Sequence, residues 1–217
     1  MVSGVACKVT NPGLRLVVLG DSIAYGTGAQ QVQDTVGRRL AQGLGREGYA
    51  VDVHVFAVPG ATSQALSAQV RRAVSVGPDL ALIIIGANDL TRLVPPAQAA
   101  VALSAAVVSL RAVGAQVVVA PAPDFADFPA VLPALRPLVR QACLQLQREQ
   151  AVATEAAGGL VARVSAKLAG AFAADPALYS RDRFHPSSAG YARIAEVLAP
   201  YMLAAAHFAA NGALQPD

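Results

Sequence analysis

Residues 14–22 read Leu14-Arg15-Leu16-Val17-Val18-Leu19-Gly20-Asp21-Ser22. The apolar, β-branched run Leu14–Leu19 lacks polar alternation, as expected of a strand covered on both faces, and it stops at a glycine followed by two small polar residues. The same kind of run recurs at Val51–Phe56, Leu80–Ile85, Gln116–Ala120 and Leu160–Val164. Longer helical patterns fill the intervals. Val36, Leu40 and Leu44 keep a spacing of four, as do Leu66, Val70 and Val74, so each set lines one face of a helix. Ala97–Ala112, Leu135–Ala157 and Ser188–Ala206 continue the alternation, with Ile194, Leu198, Tyr201 and Met202 directed inward on the last helix. Strand and helix alternating in this way predict an α/β fold: a three-layer α/β/α sandwich, flavodoxin-like, with about five parallel strands. Functional groups then belong in the loops beyond the carboxyl ends of the strands.

No linker, repeat or low-complexity tract divides the 217 residues, so one domain spanning 1–217 is expected, with its core at about 14–206 and a frayed tail from Asn211. Pro121, Pro123, Pro129 and Pro133 mark an unusually long loop after the fourth strand. With 54% hydrophobic and 14% charged residues the chain is globular, and at this length roughly 70% of the unfolded surface can be buried without disulfide or metal support. Of two cysteines, Cys143 reads as a small core residue in Ala142-Cys143-Leu144, and its pairing with Cys7 is left open. The net charge of +3 comes from scattered arginines, Arg38-Arg39 and Arg71-Arg72 among them, with Lys8 and Lys167 the only lysines. No basic stripe or aromatic-plus-basic motif forms, which argues against a nucleic-acid partner. No apolar stretch approaches the roughly 20 residues of a membrane span. The first residues lack a basic start, an apolar core and a small-residue cleavage site, so a cytoplasmic location is expected from the sequence as it stands, or a secreted or periplasmic one if a leader had been removed.

Three polar clusters fall where this topology expects function: Gly20-Asp21-Ser22, Gly86-Ala87-Asn88-Asp89 and Asp182-Arg183-Phe184-His185-Pro186. Of three histidines, His54 lies within the second strand and His207 at the end of the last helix, leaving His185 as the loop histidine. Asp182, three residues earlier, can turn back to accept from Nδ1–H, which leaves Nε2 free to take a proton from a serine. Ser22 is the serine at a strand's carboxyl end beside a glycine turn, and a hydroxyl needs such a base to become a nucleophile. It does not sit in a Gly-x-Ser-x-Gly elbow, because Ala24 replaces the second glycine, and this disfavours the α/β-hydrolase fold. Donors for an oxyanion are the Ser22 N–H, Gly60, whose N–H can approach closely for want of a side chain, and the Asn88 amide.

These residues resemble the GDSL/SGNH hydrolases. Gly20-Asp21-Ser22-Ile23-Ala24-Tyr25-Gly26 resembles their nucleophile block, with Ile23 in place of the eponymous leucine. Gly60 within Val58–Ser63, Gly86-Ala87-Asn88-Asp89 and Asp182–His185 resemble the other three, in family order. The resemblance implies that Ser22, Gly60, Asn88 and His185 are the four naming residues, with Asp182 completing a triad and Ser22, Gly60 and Asn88 forming the oxyanion hole. One departure is Ala57, at a position often glycine in the family, which is expected to shift the Gly60 backbone only slightly.

The expected function is therefore serine hydrolysis of acyl esters, as a carboxylesterase, lipase or thioesterase acting on short to medium acyl chains through an acyl-enzyme. The absence of tryptophan and the apolar character of Leu90, Leu93, Val94, Phe125 and Phe128 favour an acyl substrate over the alternative, a carbohydrate O-deacetylase. Leu90, Leu93, Phe125 and Phe128 are the candidate substrate-binding residues, the two phenylalanines serving equally well as packing for a long loop. A non-enzymatic alternative, a flavodoxin-like receiver or ligand-binding module using Asp21, Asp89 and Lys167, wants clustered acids at the first strand and has no use for Asp-x-x-His. Proton-shuttle chemistry needs no cofactor, and no clustered His/Cys set suggests a metal.

Overall fold

The computed structural model describes residues 13–128 and 131–212. Cys7, Pro129 and the last five residues of the expected frayed tail lie outside them. Five parallel strands, β1 (Leu14–Gly20), β2 (Val51–Val55), β3 (Leu80–Ile84), β4 (Gln116–Ala120) and β5 (Leu160–Val161), form one sheet in the order β2-β1-β3-β4-β5. The helices are α1 (Ser22–Tyr25), α2 (Val36–Arg46), α3 (Leu66–Val74), α4 (Ala87–Thr91), α5 (Pro96–Ala112), α6 (Arg136–Ala156), α7 (Ser165–Ala174) and α8 (Ser188–Gly212).

Period-two alternation of apolar residues on the strands builds the two cores. Leu16 and Val18 of β1, Leu80 and Leu82 of β3 and Val118 of β4 face α2 and α8, meeting Leu40, Leu44, Tyr191, Leu198 and Met202. Val17, Leu19, Ala81, Ile83, Val117 and Val119 face the opposite layer of α3 and α5, meeting Leu66, Val70, Leu103, Val107 and Leu110. Both faces of the sheet are therefore dry, which is why these strands carry no polar alternation. The expected flavodoxin-like strand order and layering are present.

The elements differ from the sequence expectation in several places, and α8 runs on to Gly212 rather than ending at Ala206. β5 spans two residues rather than five, because the chain turns at once: Val164 N–H donates to the Ala162 carbonyl at 2.9 Å. α6 begins at Arg136 after a single 3-10 turn, Pro133–Leu135. α7 was not expected at all. Its sequence, SAKLAGAFAA, has no fully buried residue and hence no strong apolar stripe.

In a parallel sheet of this order, β1 leads outward to β2 and the chain then crosses back to β3 on the other side of β1. The crevice opens between the carboxyl ends of β1 and β3. Gly20 and Gly86 stand on either side of that crevice, and the site is built around them.

Candidate active site

β1 ends at Gly20 with φ +132°, and a Cβ there would collide with the Ile84 carbonyl oxygen, so a side chain is excluded where β1 and β3 converge. Gln69 of α3, fully buried, binds both backbone groups of Gly20: its Oε1 accepts from the N–H at 2.8 Å and its Nε2 donates to the carbonyl at 2.9 Å. Asp21 follows as the N-cap of α1, accepting from Ile23 N–H at 3.0 Å. Ser22 then opens α1, so its N–H belongs to the first turn, where amides have no intrahelical acceptor.

His185 Nε2 lies 3.0 Å from Ser22 Oγ, and His185 Nδ1 lies 2.6 Å from Asp182 Oδ2. A proton on Nδ1 directed at the carboxylate leaves Nε2 as the acceptor for the serine hydroxyl. The other carboxylate oxygen of Asp182 accepts from Phe184 N–H at 2.8 Å, His185 N–H at 2.9 Å and the Ser180 hydroxyl at 2.8 Å. Partial desolvation raises the pKa of this carboxyl, but the hydrogen bonds from the imidazole, the two amides and Ser180 outweigh it and hold the group well below the usual carboxylate range. Arg183 takes φ +56° to let the loop curl around that carboxylate. Ser187 fastens the loop to α8 by accepting from Gly190 N–H at 3.2 Å, and Tyr191, fully buried, donates to the Thr27 carbonyl at 2.8 Å.

The two remaining loops are tied to each other. The Asn88 amide donates to the Ala61 carbonyl at 3.1 Å, using one of its two N–H groups. The Asp89 carboxylate, completely buried, accepts from Ser63 N–H at 3.0 and 3.1 Å and from the Ser63 hydroxyl at 3.1 Å. Burial raises the Asp89 pKa against the pull of those Ser63 donors. Gly60 lies in the loop so held, with φ +80° in the left-handed region. Gly86 (φ +125°) faces Ala122 too closely for a side chain, and buried Gln150 of α6 spans the same gap, accepting from Ala122 N–H at 2.9 Å and donating to the Ile85 carbonyl at 3.0 Å.

Beside His185 lies an apolar cavity of about 80 Å³. Ile23, Ala87, Phe125, Phe128, Leu168 and Phe184 are among its walls. Phe125 and Phe128 meet edge to face at 4.6 Å and Phe125 stacks on Phe184 at 5.9 Å, so the two phenylalanines both pack the long loop and line the cavity. Leu90 and Leu93 do not line it, contrary to the sequence reading. Leu90 packs toward Cys143 and Leu146 of α6, and Leu93, with φ +53°, turns its side chain out to 87% exposure. His54 pairs with Asp52 at 2.9 Å on β2, and His207 packs against the Tyr49 ring. Cys143 is a buried free thiol, and among the described residues no group of three or more His, Cys, Asp or Glu is arranged to hold a metal.

The structure thus brings Ser22, His185 and Asp182 into one hydrogen-bonded chain and sets Gly60 and Asn88 on adjoining, mutually tied loops. Sequence reasoning missed the residues that hold them: Gln69, Gln150, Ser63 and the positioning role of Asp89. Gln69 carried a signal, a polar residue on the otherwise apolar face Leu66, Val70 and Ala73.

A family model described as GDSL-like lipase/acylhydrolase matches residues 18–193, a span that runs from β1 to α8 and contains all of these residues. The chain belongs to the GDSL-like lipase/acylhydrolase family. Among its relatives, the GDSL-like esterase Rv1075c of Mycobacterium tuberculosis is 38% identical over 189 residues, which is 85% of this chain and 60% of that protein. The chain therefore spans about 60% of that relative's length. Among solved structures, TesA superposes with a TM-score of 0.71 at 22% identity, covering 88% of this chain and 99% of TesA. An acetyl xylan esterase from Geobacillus stearothermophilus superposes with a TM-score of 0.65 at 21% identity, covering 91% and 96%. Both likenesses establish that this GDSL-like protein shares their fold.

Proposed function

We propose that the protein is a serine hydrolase that cleaves carboxylic esters or thioesters of short to medium acyl chains through an acyl-enzyme. The observation that carries this reading is the Ser22–His185–Asp182 chain opening beside an apolar cavity. His185 Nε2 takes the Ser22 proton as Oγ bonds to the substrate carbonyl carbon, and the carbonyl π pair moves onto oxygen. Asp182, ionised at neutral pH, holds the imidazole orientation and stabilises the imidazolium. The Ser22 and Gly60 N–H groups and the second amide proton of Asn88 are the donors for the oxyanion. Collapse breaks the bond to the leaving oxygen or sulfur, which His185 protonates. Water, deprotonated by His185, then attacks the acyl carbon, releases the acid and returns the proton to Ser22.

The cavity supports an acyl rather than a sugar ligand. Its walls are mostly aliphatic and phenylalanine side chains, with Asp124, Ser165, Tyr179 and His185 the polar or titratable ones, and burying each methylene there contributes about 0.8 kcal/mol. Its size favours short to medium chains over long ones.

A series of p-nitrophenyl esters and acyl thioesters from two to sixteen carbons, assayed beside an acetylated xylo-oligosaccharide, tests this reading. The expected result is a kcat/KM optimum among short to medium chains and stoichiometric labelling of Ser22 by an organophosphonate, abolished in Ser22→Ala. Deacetylation of the sugar outpacing every simple ester would transfer the assignment to a carbohydrate O-deacetylase. An inert protein, unlabelled at Ser22, would refute it.

A further inference from the structure

We propose that Arg92 forms a subsite for an anionic group, a carboxylate or phosphate, carried on the leaving-group portion of the substrate. The inference rests on the esterase reading above and adds a substrate class to it. Arg92 follows α4, the short helix that carries Asn88. Its N–H donates to the Asn88 carbonyl at 3.0 Å, Val94 N–H donates to the Asp89 carbonyl at 2.9 Å, and Leu93 turns the chain with φ +53°. The root of the arginine is therefore fixed relative to the Asn88 amide.

Its guanidinium reaches across to the other oxyanion loop. A Cβ built on Gly60 would lie 3.6 Å from Arg92 Nη2, so the cation sits over the backbone whose N–H is proposed to face the oxyanion. Arg92 is exposed and, among the described residues, makes no side-chain hydrogen bond or ion pair; other surface arginines share that state, and what sets Arg92 apart is its place against Gly60. Asp89, the nearest acid in sequence, is buried and already occupied by Ser63. The guanidinium therefore feels the Asp89 charge without hydrogen-bonding to it, and its donors stay open to a ligand.

Position decides which part of the substrate it meets. The apolar cavity lies on the β4 side of Ser22, walled by Ala120, Phe125 and His185, and includes neither Gly60, in the loop after β2, nor Arg92, whose guanidinium lies against Gly60. An acyl chain seated in the cavity leaves the alcohol or thiol portion outside it, within range of Arg92. Guanidinium binds carboxylate and phosphate through paired N–H donors, a match that a neutral isostere lacks.

The test compares kcat/KM for 4-carboxyphenyl butyrate, its neutral isostere 4-carbamoylphenyl butyrate and the corresponding 4-phosphooxyphenyl butyrate, in wild type, Arg92→Lys, Arg92→Gln and Arg92→Glu. The ratio of anionic to neutral ester within each protein cancels any loss of folded enzyme, and comparing that ratio between proteins cancels the esters' intrinsic reactivity. That ratio is expected to fall about fivefold from wild type to Arg92→Gln, through KM, to fall further in Arg92→Glu, to be partly kept in Arg92→Lys and to shrink at high salt. The larger Arg92-dependent ratio identifies carboxylate or phosphate as the ligand. Ratios equal in all four proteins, with the neutral ester still cleaved, would eliminate the subsite and leave the esterase reading standing. Failure to cleave any of the three esters would remove both.

Discussion

Asn88 and Asp21 show two different consequences of crowding polar groups into one crevice. One amide proton of Asn88 holds the Ala61 carbonyl, and the other is the proposed oxyanion donor. Asn88→Ala is expected to lower kcat by about 10²–10³ with little change in KM, because the charge it stabilises appears only in the transition state. Asp89 and Ser63 continue to hold the Gly60 loop in this variant, so its melting temperature should stay near that of wild type. A fully active Asn88→Ala protein would exclude the donor role. Asp21 is a matter of pH. Burial first, and Asp89 nearby, push its carboxyl up to about 6, against the opposing pull of Ile23 N–H and His185. The folded state therefore binds this proton more tightly than the unfolded chain, and ionisation destabilises the fold at pH above about 6. The penalty disappears below the unfolded value of 3.8. Asp21→Asn, which keeps a capping oxygen, is expected to raise stability at pH 8 by up to about 3 kcal/mol, an advantage that closes between pH 6 and pH 4. Urea titrations of both proteins at pH 4, 6 and 8 measure it; a difference independent of pH would contradict the buried-carboxylate account. Asp182 runs the other way. Its depressed pKa contributes stability at neutral pH that is lost only in strong acid.

At the scale of elements, two buried glutamines bracket the crevice. Gln69 reaches from α3 to Gly20 at the end of β1, and Gln150 reaches from α6 to Ile85 and Ala122 beyond β3 and β4. Each bonds backbone groups where the strands diverge, Gln69 sharing the Gly20 carbonyl with Val58 N–H. Gln69→Leu would strand the Gly20 N–H in a dry setting while the Gly20 carbonyl keeps Val58 N–H at 3.1 Å, at an expected cost of about 1–3 kcal/mol, and activity should fall with stability because Gly20 sets the position of Ser22. Equal melting temperatures for Gln69→Leu and wild type would show that water replaces the side chain. β1, β3 and β4 were legible in the sequence because burial on both faces writes an uninterrupted apolar run. The helices α2 and α3 were legible because one buried face writes a spacing of four. α7 was not, since a helix with no buried stripe leaves no period, yet it supplies Leu168 and Phe172 to the cavity. Ser22 and Asn88 stood out as polar residues just after apolar runs, His185 as the loop histidine beside Pro186, and Asp182 by its place three residues before His185. Gln69 and Gln150 did not, because their role depends on where distant strand ends lie. Leu90 and Leu93 stand apart from the cavity because Leu90 turns inward on α4 while Leu93 lies beyond the end of α4 with φ +53°, a turn that no periodicity announces.

For the molecule as a whole, the sheet order gathers the carboxyl ends of β1, β2 and β3 around one crevice and lets the loop before α8 close it. The chemistry proposed for that crevice needs proton transfer and fixed dipoles alone. Dialysis against a chelator is expected to leave esterase turnover intact, and loss of activity restored by a divalent cation would contradict the mechanism. The cavity wall offers a further handle. Leu168→Trp, from α7, should move the acyl-chain optimum of kcat/KM toward fewer carbons by filling space beside Phe172, as read from the same ester series; an unmoved optimum would mean that acyl chains lie elsewhere.

Ser22 and its base are separated by 163 positions, so the first strand-and-turn and the final loop must meet before a proton can pass between them. On the ribosome this order has a consequence of its own. A nascent chain acquires Ser22 well before His185, because 163 positions of sheet and helix are made between them. Incomplete chains hold a serine hydroxyl without a base, and are expected to be chemically silent toward the esters around them. On the proposed mechanism, hydrolytic competence then waits for the loop before α8 to reach Ser22, a delay set by chain order alone.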